Sequence, residues 1–130
     1  MIEFAQGGRI LKLRDIVDIL DAKVLTGKSN LDLEIECACG SDMMSEVLAF
    51  SKYNAVLLTG LINNHVLRTA EMLDIEAVIY VRGKIPDDSI LEMAEDMGIT
   101  LITTEMTMFS ACGILYTHGI KGGKRVHENV

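Results

Sequence analysis

The sequence predicts an α/β fold: one three-layer α/β/α domain around a mostly parallel central sheet of about five strands. Three observations carry this. "YNAVLLTG", "IEAVIYVRG" and "ITLITTEM" are apolar runs of strand length. Within them "AVLL" and "AVIYV" are apolar on successive residues, as strands covered on both faces are. A helical pattern precedes each run, and the unit repeats. Aligning Tyr53 with Ile75 sets Val56 on Val78, an offset of 22, and aligning Ala70 with Ala94 sets Ile75 on Ile99, an offset of 24. A βα unit has this length, so three successive βα units are expected and not a solenoid.

Along the chain, "LRDIVDIL" reads as a short helix and "AKVLTG" as a strand. In "LEIECACG" Leu33, Ile35, Cys37 and Cys39 point one way and Glu34 and Glu36 the other. This is a strand with one wet face, expected near a sheet edge. Period-3.6 apolar faces follow: Met43, Val47 and Phe50; then Val66, Ala70 and Leu73; Ile90, Ala94 and Met97; Met108, Cys112 and Leu115. Pro86 before Asp87-Asp88 suits a helix start, and Gly98 and Gly119 suit helix ends. No internal linker divides the chain. The domain is expected over residues 11–120, with 1–10 and 121–130 as loosely ordered ends.

Composition narrows the function classes. In 130 residues, 49% are hydrophobic and 24% charged, as in a globular domain able to bury a core without staples. The net charge of −7 opposes binding to a phosphate backbone. Tryptophan is absent and aromatics are 5%, which argues against stacking platforms for single-stranded nucleic acid. The tail "GIKGGKRVHENV" reads as a mobile end. No apolar run is long enough to span a membrane. The N-terminus shows no leader pattern, so a cytoplasmic protein with reduced thiols at Cys37, Cys39 and Cys112 is expected.

In an open parallel sheet, ligands bind beyond the carboxyl ends of the strands. The loops expected there are "TGLINN", "VRGKIPDD" and "TTEMT", joined by "GSD". They supply Thr59, Gly60, Asn63, Asn64, Arg82, Gly83, Lys84, Thr103, Thr104, Ser41 and Asp42. Two cations, hydroxyls, amides and free helix N–H groups are the parts of an anion site. A plainer reading stands beside it. Gly60 would supply the φ freedom of a tight strand-to-helix turn, and Asn63, Asn64, Ser41 and Asp42 would cap helices.

No G-x-G-x-x-G or G-x-x-x-x-G-K-[ST] occurs, and "GIKGGKR" lacks the Ser/Thr and the helix of a P-loop. Cys37 and Cys39 lack two further ligands at metal spacing and read as small core residues. No metal, cofactor or catalytic set is expected.

The runs "GLINNHVLRTAEMLDIEAVIYVRGK" and "TMFSACGILY", with "LKLRDIVDILDAKVLTG" before them, resemble the stand-alone DRTGG-domain family over about residues 11–120. The literal string D-R-T-G-G does not occur. The resemblance implies a fold like the N-terminal domain of HPr kinase/phosphorylase. Related domains accompany CBS domains in some pyrophosphatases and precede phosphotransacetylases, as accessory modules. It therefore implies a non-catalytic regulatory domain and brings no functional residues.

The expectation is a homo-oligomer, a dimer, whose sheet edge senses a small anionic or nucleotide-like ligand. The rivals are an interaction module that binds a protein partner through the strand around Glu34 to Cys39, and an enzyme using Cys37, Cys39 or His65.

Overall fold

A computed structural model describes residues 2–3, 9–51, 54–122 and 124–125. The elements are β1 (Ile2–Glu3), β2 (Arg9–Lys12), α1 (Leu13–Ile19), β3 (Lys23–Val24), a 3-10 turn (Lys28–Asn30), β4 (Glu34–Ile35), β5 (Cys37–Gly40) and α2 (Met44–Leu48). They continue as β6 (Phe50–Ser51), β7 (Ala55–Thr59), α3 (Asn64–Met72), β8 (Ala77–Tyr80), α4 (Asp88–Met97), β9 (Thr100–Thr103), α5 (Met108–Thr117), β10 (Lys121–Gly122) and β11 (Lys124–Arg125). Lys52 and Tyr53, and residues 1, 4–8, 123 and 126–130 of the expected loose ends, lie outside the described residues.

The central sheet runs β10-β5-β7-β8-β9-β3. All its pairs are parallel except β3 on β9. Every residue of β7, β8 and β9 is buried, as their unbroken apolar runs require. Strand alternation splits the core in two. Val56, Leu58, Ala77 and Ile79 join Leu13, Ile16, Ala111 and Leu115 of α1 and α5. Leu57, Val78, Tyr80 and Leu101 join Val47, Val66, Ala70, Ile90 and Ala94 of α2, α3 and α4. The result is the expected three layers.

Helix ends follow the local chemistry. The Asp87 carboxylate accepts the Ile90 N–H at 3.1 Å and caps α4. The Ser89 hydroxyl and that N–H both favour its charged form and hold its pKa below the usual carboxylate range. Gly98, left-handed at φ 73°, closes α4.

"LEIECACG" is not one strand. Ile35 ends β4, which pairs with β2, while Cys37 begins β5 in the central sheet. At the break, the Glu36 N–H donates to the Asn54 carbonyl instead of to a ladder. Nor is β5 an edge, since β10 covers it. Of the segment proposed for partner pairing, Cys37–Gly40 therefore already has neighbours on both sides, while Glu34–Ile35 ends its own sheet with β2 as neighbour. Met43 precedes the short α2 and is 58% exposed, while Val47 of the same expected face is wholly buried.

Tyr80 carries the one polar side-chain atom among the described residues that is buried without a hydrogen-bond partner, its hydroxyl. Burial pushes its pKa up to about 12. Tyr80→Phe should raise stability by about 1 kcal/mol, because an unmet buried hydroxyl is a net cost. The neutral form is favoured by folding, so that stability is intact below pH 10 and is lost as pH rises toward 12. Between pH 9 and 12 the wild type should lose roughly 2–3 kcal/mol more than Tyr80→Phe in urea titrations. Parallel pH profiles would refute this.

Candidate functional site

Crossovers β5-α2-β7, β7-α3-β8 and β8-α4-β9 place their helices on one face, while α5 returns from β9 to β10 on the other. Connections thus leave β8 and β9 toward opposite faces, which makes the gap between their carboxyl ends the switch point where a ligand crevice is expected. Here the chain closes that gap. Thr104 N–H donates to the Tyr80 carbonyl, Gly83 N–H to Thr104 and Arg82 N–H to Met106, each at 2.8–2.9 Å. The Thr103 hydroxyl donates to the Lys84 carbonyl and the Thr104 hydroxyl to that of Leu20, both at 2.8 Å. Both threonines are buried, at 7% and 2% exposure, and spend their hydroxyls inside the fold.

The neighbouring gap, between β5, β7 and β8, gathers the other candidates. Ser41 N–H donates to the Leu58 carbonyl, which lays the Gly40–Asp42 turn along the end of β7. Asp42 Oδ1 then accepts the Gly60 N–H at 2.7 Å and the Thr59 hydroxyl at 3.0 Å. Thr59 Oγ1 in turn accepts the Leu61 N–H at 3.1 Å. A backbone amide and a hydroxyl converge on one carboxylate oxygen, so the turn is a cradle whose occupant comes from the same chain.

Arg82 covers this cradle. A Cβ on Gly60 would stand 2.5 Å from Arg82 Nη2 and 3.3 Å from its Cζ. Gly60 is absent from the glycines with positive φ. The φ freedom expected from the sequence is therefore not what this position uses, and a Cβ there would displace only the mobile end of the Arg82 side chain. Arg82 and Gly83, at φ 55° and 68°, form a tight turn closed by Lys84 N–H on the Val81 carbonyl at 3.2 Å. Two consecutive positive φ values define a type I′ geometry, in which a non-glycine residue is strained. A Cβ on Gly83 would meet the Glu105 carboxylate at 2.8 Å.

The asparagines divide. Asn63 caps α3, its Oδ1 accepting the His65 N–H at 3.0 Å, and Asn64 is the first helical residue. Ser41 Oγ accepts the Met43 N–H at 3.0 Å and orders the turn into α2. Sequence reading missed that Asp42 is a partner of Thr59 and Gly60 and not a cap. The two segments are 17–18 residues apart, and only the parallel register of β5 and β7 joins them.

The alternative Cys-His chemistry has no geometry. Cys37 pairs in register with Ala55 at the amino end of β7, whereas exposed His65 follows the carboxyl end. Cys112 is half-buried, and burial pushes its thiol pKa up. Among the described residues no group of three or more His, Cys, Asp or Glu is placed to hold a metal, and no helix is long and apolar enough to cross a membrane.

A family model described as the DRTGG domain matches residues 15–127. Among solved structures, the chain is similar to the crystal structure of the CBS and DRTGG domains of the regulatory region of Clostridium perfringens pyrophosphatase complexed with activator, diadenosine tetraphosphate. That match has 21% identity and a TM-score of 0.66, and covers 89% of this chain and 51% of the other. The chain thus spans about half the length of that structure, and the likeness is one of fold. No curated protein matches.

Proposed function

Because the chain belongs to the DRTGG domain family, we propose that it is a non-catalytic regulatory module of the cytoplasm, working as a homo-oligomer. Its cradle at Thr59–Gly60, with Arg82 and Lys84, takes a small anion of nucleotide type. The observation that carries this is the Asp42 carboxylate, held by the Gly60 amide and the Thr59 hydroxyl beneath the Arg82 guanidinium. Those groups suit an anionic oxygen, and a ligand phosphate would use the same donors once Asp42 swings out. The exchange replaces one acceptor with another and adds charge pairing to exposed Arg82 and Lys84. Motion of Asp42 would pass directly to the Gly40–Asp42 turn and α2, giving the ligand a route to the rest of the fold. A pyrophosphatase regulatory region of similar fold is complexed with a dinucleoside polyphosphate activator, which recommends that class as the first probe.

Isothermal titration with ATP, diadenosine tetraphosphate and inorganic tripolyphosphate tests the reading. Binding that weakens with added salt is expected. Asp42→Asn should bind more tightly than the wild type by about 3- to 10-fold, since it removes the competing charge at constant shape. If neither form binds any of the three at millimolar concentration, the ligand reading fails.

The second reading is a protein-interaction module without a small-molecule ligand. It is favoured by the exposed aromatic residues Phe109 and Tyr116. Failure of the titrations would transfer the weight to it.

A further inference from the structure

Helix α5 is apolar on its outside as well as its inside. Ala111 and Leu115 face the core, yet Phe109 is 90% and Tyr116 72% exposed. Residues 109, 113 and 116 lie on one stripe of a helix. The middle one is Gly113, where an added Cβ would meet nothing within 4 Å. Glycine inside a helix is unfavourable, and neither packing among the described residues nor a positive φ calls for it. Glycine here leaves a hollow on the outward stripe that a side chain of a second helix can fill, with the two aromatics as contact area on either side.

Beside this stripe lies a groove of about 200 Å³, lined by Ala38, Gly40, Cys112, Tyr116 and Ile120 among others. A cavity of about 150 Å³ is enough to admit a benzene ring. The same surface thus offers a projecting ring and a hollow able to receive one. Self-complementarity of this kind is what an interface across a two-fold axis needs.

We propose that α5 is the contact between two copies of this chain, packed antiparallel about Gly113. Phe109 of each copy lies over the Cys112–Tyr116 turn and groove of the other. The proposal rests on the homo-oligomer reading above and names its surface. Charge and area favour a second copy. The chain carries −7 overall, which opposes self-association, but "MFSACGILYT" has no charged residue and the groove beside it adds only the cation Lys121, so two copies meet here without that repulsion. Fully buried aromatics cover roughly 150–250 Å² each, so Phe109 and Tyr116 alone would supply a large part of the ~800 Å² per partner of a standard interface.

Sedimentation equilibrium of the full chain, across a concentration series, is the test. The wild type should be a dimer. Phe109→Asp should weaken association by roughly 30-fold or more, as loss of a central aromatic anchor does. Gly113→Leu should do the same, while its helix content by circular dichroism stays at the wild-type value because leucine is a good helix former. A wild-type monomer overturns both the surface and the oligomer reading. A dimer indifferent to both substitutions overturns the surface and leaves the oligomer reading standing.

Discussion

Arg82→Gly should yield a protein that melts at higher temperature and binds anions more weakly. Arg82 occupies the left-handed region at φ 55°, and the next residue, Gly83, does so at 68°. A non-glycine residue there costs about 1–2 kcal/mol. Glycine removes that strain and gives back part of the gain through its freer unfolded chain. A net gain of about 1 kcal/mol, or a melting point higher by roughly 2–5 °C, is expected from calorimetry. The same substitution deletes the guanidinium that lies on Gly60. On the proposed site, affinity for tripolyphosphate should fall about 10-fold or more, as for loss of a charge-assisted contact. The opposed signs separate a lost ligand contact from a damaged fold. Arg82→Ala should show the binding loss without the thermal gain. Unchanged affinity in both variants would remove Arg82 from the site.

Gly27→Ala should be among the most damaging single-methyl additions in the chain. Gly27 sits at φ 69° and ψ 38°, at the entrance to the 3-10 turn. A Cβ there would stand 2.4 Å from Thr100 Oγ1 and 2.9 Å from the Thr100 Cα. The first neighbour can rotate, at the cost of its 3.0 Å bond to the Gly27 carbonyl. The second is backbone of β9 and cannot. Left-handed strain of about 1–2 kcal/mol adds to an overpacking cost of about 1–3 kcal/mol. A loss of about 2–5 kcal/mol should appear as a lower urea midpoint at unchanged slope. A shift below 1 kcal/mol would mean that the turn relaxes away from β9.

The elements that sequence reading recovers are those whose signal is local. β7, β8 and β9 announce themselves by unbroken apolar runs, and α3 and α4 by period and caps at Asn63, Asp87 and Gly98. The misses are long-range. Alternation through Glu34–Cys39 persists although the chain changes sheets at Glu36, because side-chain period carries no record of which strand lies alongside. Thr103 and Thr104 look like ligand hydroxyls until the backbone acceptors of Lys84 and Leu20 are placed beside them. Asp42 looks like a cap because its true partners stand one strand away. Gly60 looks like a residue chosen for φ freedom in a tight turn, although its φ is not positive and its near neighbour is an arginine from the next loop. The candidate loops were legible as a set. Which of their groups remain free was not, since hydrogen-bond partners depend on the register of three strands.

The order of strands in the central sheet also bears on how the protein reaches its native state. Ladders β5-β7, β7-β8 and β8-β9 join residues only about 20 apart in sequence. Those that add β3 to β9 and β10 to β5 join residues about 80 apart. Closing short loops costs less chain entropy, so the four-strand middle is the natural nucleus and the two outer strands arrive afterward. Gly27 lies in the late-arriving seam. Its damage should therefore appear almost wholly as faster unfolding, with the refolding rate nearly unmoved.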